Sequence, residues 1–210
     1  MTIVETKEWF QVFSSHFVQH PLSKELTIVL GVPFTLLSTA KEIIEKEHLP
    51  LALAAQDVSP FGKGPYTGEI SAEMIAELAG YVLIGHSERR QYFAESDEEL
   101  SYQVLQAKTA GLTVIYCVSC ESERIPPAVD IVAYEPVEAI GSGKPEDVHN
   151  VSAICQNIHD TMHKPVVYGG SITDAVITSY IQQCPIAGFL VGGTSLDPVS
   201  FFRIGELLSS

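Results

Sequence analysis

Apolar residues in this chain follow two alternating rhythms. Short, near-continuous apolar runs occur at Thr27–Val32, Leu51–Gln56, Tyr81–Gly85, Thr113–Val118, Ile131–Tyr134, Val166–Tyr168 and Phe189–Val191. Their lengths suit strands, and their continuity predicts strands covered on both faces. Between them, apolar residues recur every three or four positions, the spacing of a helix with one buried stripe. Trp9, Phe10, Phe13 and Phe17 have that spacing, so the chain opens on a helix and nothing strand-like precedes Thr2. Ser96-Asp-Glu-Glu99 is a capping box, and Gly111 ends the helix it starts. Pro145, Glu146 and Asp147 open another, with Val148, Val151, Ile154, Ile158 and Met162 as its stripe. Asp197-Pro198 opens the last, with Phe201, Phe202, Ile204 and Leu208 inward. Strands alternating with helices predict an α/β fold with a parallel sheet. A closed barrel of this kind takes eight strands. Seven strands behind an opening helix therefore predict a (β/α)8 barrel whose first strand is absent from the sequence. One connection, Ser119 to Ala128, is near the lower limit for a crossover, so its helix is expected to shrink to a turn. No low-complexity segment or linker divides the chain, which predicts one domain over residues 1–210.

Composition narrows the function classes. A hydrophobic fraction of 46% fits a compact protein, not a disordered one. No apolar stretch is long enough to span a bilayer, and Glu5, Lys7 and Glu8 interrupt any secretory leader. A net charge of -14 argues against nucleic acid or an anionic membrane as partner. A small anion can still bind where backbone N–H groups converge. Cys117-Val-Ser-Cys120 has the spacing of a redox or half-zinc motif, but no second pair follows. The expectation is reduced thiols in a cytoplasmic protein, with no metal and no cofactor.

Two segments carry chemistry. In Tyr81-Val-Leu-Ile-Gly-His86-Ser-Glu-Arg-Arg90 and Ile131-Val-Ala-Tyr-Glu135-Pro, an apolar strand ends in one ionisable side chain. Barrel enzymes place their chemistry at that end of the strands. A carboxylate facing an imidazole is a proton-transfer pair, and the glycine-rich stretch after Glu135 could close over a substrate. Gly141-Ser-Gly-Lys144 is not a nucleotide loop, because Pro145 stands where a Walker motif needs Ser or Thr.

Gly85-His-Ser-Glu-Arg-Arg90, Ala133-Tyr-Glu-Pro-Val137, Ala139-Ile-Gly-Ser-Gly143, Tyr168-Gly-Gly-Ser171 and Phe189-Leu-Val-Gly-Gly193 resemble the triosephosphate isomerase family, in order and at compatible spacing. Val32-Pro-Phe34, Ala55-Gln56-Asp57 and Gly64-Pro-Tyr-Thr-Gly-Glu-Ile-Ser71 extend the resemblance over nearly the whole chain. It implies an isomerase that interconverts dihydroxyacetone phosphate and D-glyceraldehyde 3-phosphate through an enediolate. Glu135 would be the general base and His86 a neutral electrophile, a pairing established for that family, with Glu88 as a further catalytic residue. Gly141, Ser171, Gly192 and Gly193 would hold the phosphate, each glycine pair preceding a helix start whose N–H groups point at the anion. Gly141–Lys144 would be a mobile lid. The Asp57–Glu69 segment resembles the family's dimerisation loop, with Thr67 at its tip, which implies a homodimer or a tetramer.

The sequence also departs from the family. Glu138 stands where the bacterial and eukaryotic branch has tryptophan, and with the short fifth crossover it resembles the compact archaeal-type branch. The family's first strand ends in an Asn-x-Lys pattern, and no such motif is present. Lys144 and Arg89 are then the obvious cations for a dianion. The competing expectation is a catalytically impaired barrel that only binds phosphate or dimerises. A weaker one is another phosphate-binding barrel enzyme.

Overall fold

The computed structural model describes residues 1–136 and 146–209. The chain begins with α1 (Ile3–Gln19), followed by β1 (Ile28–Val32), α2 (Phe34–Glu47), β2 (Leu51–Ala55), α3 (Ala72–Ala76) and β3 (Tyr81–Ile84). It continues with α4 (Ser87–Phe93), α5 (Asp97–Thr109), β4 (Thr113–Val118) and β5 (Ile131–Tyr134). Last come α6 (Val148–Met162), β6 (Val166–Tyr168), α7 (Ile177–Gln183), β7 (Gly188–Phe189), a 3-10 turn at Gly193–Leu196 and α8 (Pro198–Ser209). All seven strands pair in parallel, in chain order from β1 to β7. This is an α/β fold of the TIM-barrel type. Among the described residues, β1 and β7 are each paired on one side only.

Alternation along the strands creates two apolar layers. Val114, Tyr116 and Val118 of β4, with Val132 and Tyr134 of β5, face the helices in one large cluster. Ile115, Cys117 and Ala133 point the other way, into the curl of the sheet, with Leu83, Val167 and Leu190 around them. Residues 119–130, between β4 and β5, form turns and bends with no helix, as the short spacing implied.

Side-chain caps set two of the helix starts, and one of them falls later than expected. α1 starts on a capping box, with Thr2 accepting from Glu5 N–H and the Glu5 carboxylate accepting from Thr2 N–H. α6 starts at Val148, capped by Asp147, and Cys155 joins Val151 and Ile158 on its buried face. Sulfur fills that space as a small apolar group.

The outer layer crosses the gap between β1 and β7. Trp9 and Phe13 of α1 stack at 4.9 Å, and Phe201 and Phe202 of α8 pack against them. Trp9 Nε1 donates to Ser195 C=O at 2.9 Å.

Candidate active site

Strand parity decides which side chains meet. Tyr134 faces the helices, so Glu135, one residue on, faces the interior of the curl. Glu135 N–H donates to Val118 C=O at 2.8 Å, holding that residue extended at the end of β5. On β3, Val82 and Ile84 face outward, and strict alternation would turn His86 outward too. Gly85 breaks the alternation with φ +74, a conformation that disfavours any residue with a Cβ. A Cβ there would also meet Arg90 Nη2 at 3.0 Å. Turned inward, His86 places Nε2 3.3 Å from Glu135 Oε1. The two residues predicted from separate strand ends are in contact.

Glu135 is 3% exposed. Gly169 packs against it so closely that a Cβ would lie 3.0 Å from Glu135 Cγ. Glu135 Oε2 is buried and has no hydrogen-bond partner among the described residues. A buried carboxylate oxygen left over is costly in a resting structure and ready for an incoming proton. The buried Cys117 thiol is pushed far up, by burial first and then by the Glu135 carboxylate. All four cysteines are free, and Cys117 is thus an inert thiol, not half of a redox motif.

His86 caps α4, and its Nδ1 accepts from Glu88 N–H at 3.3 Å. An accepting Nδ1 leaves the proton of a neutral ring on Nε2, facing Glu135. The Glu135 carboxylate pulls the other way: its hydrogen bond raises the His86 pKa above the ordinary value, over the opposing effect of burial. The Nδ1 contact sets the tautomer of the neutral ring, whereas the upward pull lasts only while Glu135 is ionised. A proton on Glu135 removes the main cause of the rise. Glu88 acts here through its N–H. Its carboxylate lies 3.9 Å from Nδ1 and its side chain is 66% exposed.

Ser171, with φ +48, follows Gly169 and Gly170 at the end of β6. A Cβ on Gly170 would lie 2.1 Å from Tyr168 Oη, so only glycine fits. Gly192 and Gly193 are exposed, and an added Cβ there would meet nothing within 4 Å. Packing does not require glycine at these two positions, and bare backbone suits close approach of a ligand. The expected helix starts differ: a turn separates Ser171 from α7, and Gly193 opens only a single 3-10 turn. Backbone N–H groups, not a long helix dipole, would have to hold an anion here. Gly141 and the lid segment Gly141–Lys144 lie outside the described residues.

Thr67 is exposed at a tight turn that closes when Glu69 N–H donates to Tyr66 C=O, with Gly68 at φ +96. Phe61 and Tyr66 stack at 4.4 Å beside Thr67. A cavity of about 440 Å³ separates them from Tyr102 and Gln106 of α5, away from the Glu135–His86 pair.

Arg89 does not serve as a loose cation for substrate. Its Nη2 lies 2.8 Å from Asp57 Oδ2, and its Nε donates to Glu95 Oε1 at 2.7 Å. Gln103 Nε2 donates to both carboxylates. Burial pushes the Asp57 pKa up to about 6, against the attraction of Arg89. An unfolded Asp titrates near 4, roughly. Between those values the folded chain keeps a proton that the unfolded chain has lost, so stability falls as pH rises through the window. Urea unfolding from pH 4.5 to 7 should therefore show a decline that Asp57→Asn lacks, worth about 2 kcal/mol at most. Parallel pH profiles for the two proteins would show that Asp57 titrates normally.

Among the described residues, no group of three or more His, Cys, Asp or Glu could hold a metal ion. No described helix is long and apolar enough to cross a membrane.

The profile of the triosephosphate isomerase family matches residues 1–208. The chain belongs to the triosephosphate isomerase family. It is 37% identical to the triosephosphate isomerase of Synechococcus sp. (strain RCC307), over 98% of this chain and 89% of that protein. Identity to the Mesomycoplasma hyopneumoniae (strain 7448) enzyme is 34%, over 97% of this chain and 93% of that one. The crystal structure of triosephosphate isomerase from Bartonella henselae superposes with a TM-score of 0.80 at 28% identity, covering 97% of this chain and 94% of that one.

Proposed function

We propose that this chain interconverts dihydroxyacetone phosphate and D-glyceraldehyde 3-phosphate, a step of glycolysis and gluconeogenesis. Family membership supports the reaction, and the observation that carries it is the contact between Glu135 and His86 at the ends of β5 and β3. Glu135 takes the proton from the carbon next to the carbonyl, and the electron pair moves to the carbonyl oxygen. His86, with its proton on Nε2, donates to that oxygen as the enediolate forms and relays to it the proton of the adjacent hydroxyl, leaving the negative charge on the second oxygen. Glu135, now neutral, no longer favours an imidazolium. A proton returned from Glu135, in part after exchange with solvent, to the former carbonyl carbon re-forms the carbonyl at the second oxygen and completes the isomerisation. Glu88 N–H holds the imidazole, and Ser171, Gly192, Gly193 and Gly141 bind the phosphate. No cofactor enters any step.

The residues act as one domain, in a cytoplasmic protein that pairs with a second copy through the loop bearing Thr67. The exposed Phe61–Tyr66 stack supports that face. The missing helix between β4 and β5 supports the compact branch of the family. The one-sided pairing of β1 and β7 supports the reading that a strand ending in Asn-x-Lys belongs between them.

The test is an isomerase assay with purified protein in D2O. The expected result is turnover with solvent deuterium appearing at the carbon that exchanges its proton. Adding an Asn-x-Lys strand ahead of Met1 should raise kcat in the same assay. Phosphate binding without turnover or exchange would favour an impaired phosphate-binding barrel, a reading supported by the engagement of Arg89 with Asp57 and Glu95.

A further inference from the structure

Three buried tyrosines converge on a single residue. Tyr134 Oη donates to Glu146 Oε2 at 2.9 Å. Glu146 N–H donates to Tyr168 Oη at 3.2 Å, and Tyr180 Oη donates to Glu146 C=O. Asn150 Nδ2 donates to Glu146 Oε1, filling the second carboxylate oxygen. The rings of Tyr168 and Tyr180 stack at 5.0 Å, and Tyr134 lies 6.1 Å from Tyr168. Each tyrosine is at most 3% exposed. A buried phenol must find a partner, and an ionised carboxylate is a strong acceptor for one.

The placement of these tyrosines ties Glu146 to the reactive pair. Tyr134 is the residue before Glu135 on β5. Tyr168 precedes Gly169, which packs on Glu135 Cγ, and its hydroxyl fills the space beside Gly170. A shift of Tyr134 or Tyr168 therefore moves the backbone carrying the carboxylate or the wall against which it rests. In a close-packed interior such shifts are transmitted, not absorbed.

We propose that Glu146 is a positioning residue for Glu135, acting through its carboxylate on Tyr134. The inference rests on the reading of Glu135 as the base. Loss of the Glu146 carboxylate leaves the Tyr134 hydroxyl buried without its acceptor and frees the end of β5. A small displacement there reaches the reacting atoms, where about 1 Å can cost up to a hundredfold.

The test is a double-mutant cycle with Glu146→Ala, Tyr134→Phe and the combined variant, with Glu146→Gln as the conservative replacement. The expected result is a fall in kcat of about tenfold for Glu146→Ala, with KM nearly unchanged and the fold intact by circular dichroism. The combined variant should be no slower than the slower single one, and Glu146→Gln should recover most of the rate because its amide oxygen can accept from Tyr134. Unchanged kcat in folded Glu146→Ala, or additive losses in the combined variant, would overturn the proposal. A second readout does not need turnover: the ring nitrogen chemical shifts of His86, assigned by difference with His86→Asn, report its contact with Glu135. They should move in Glu146→Ala, and shifts identical to the parent's would also overturn it. Full turnover in Glu135→Asp would instead remove the base itself.

Discussion

Glu135→Asp should fold like the parent and lose about a hundredfold in turnover, because its carboxylate is drawn back by one methylene, roughly 1 Å. The surroundings make this substitution informative. Glu135 N–H remains bonded to Val118 C=O, so the backbone has no cause to move. The shorter side chain withdraws from His86 and from the wall formed by Gly169, leaving a small gap. Folding is insensitive to such a change, whereas proton abstraction depends on reach. Steady-state kinetics should show the loss in kcat, with KM little altered and the same thermal midpoint within a few degrees. Unchanged turnover would exclude Glu135 as the base.

His86→Ala should cost about 10²–10³ in kcat, the range seen when one preorganised donor to a developing oxyanion is removed. It should also lower stability by about 1 kcal/mol, because His86 caps α4 through Nδ1. The two roles separate in His86→Asn. Asparagine is a good N-cap and can accept from Glu88 N–H, but it cannot present a donor where Nε2 now lies. Stability is expected to return while turnover stays low. Recovery of both would mean that the ring matters only as a cap.

All seven strands were legible in the sequence, each within one or two residues of the structure. Their near-continuous apolar runs admit few other readings once both faces are buried. His86 and Glu135 were legible as two strand-end ionisable residues. Their contact was not, since it depends on Gly85 reversing the side-chain alternation after β3. Arg89 looked like a cation free to meet substrate. Asp57 and Glu95 claim it through tertiary contacts that no local pattern encodes. Glu146 was read only as a helix-start acid, and its three tyrosine partners come from β5, β6 and α7. The Thr2–Glu5 capping box is a local Thr-x-x-Glu signal that the apolar stripe of α1 alone does not reveal.

The aromatic contact of α1 with α8 changes how the molecule should come apart. A ladder of strands paired in chain order resembles a string of repeats, in which end units can fray without disturbing the middle. Here Trp9 and Phe13 join the first unit to Phe201 and Phe202 of the last, and the string becomes a loop. Neither end can loosen without exposing the same aromatic surface, so both ends share one opening free energy. The Trp9 bond to Ser195 extends that dependence to the turn that begins at Gly193. Hydrogen exchange in β1 and in the Gly193–Leu196 turn should consequently report a single event, although the two lie at opposite ends of the chain.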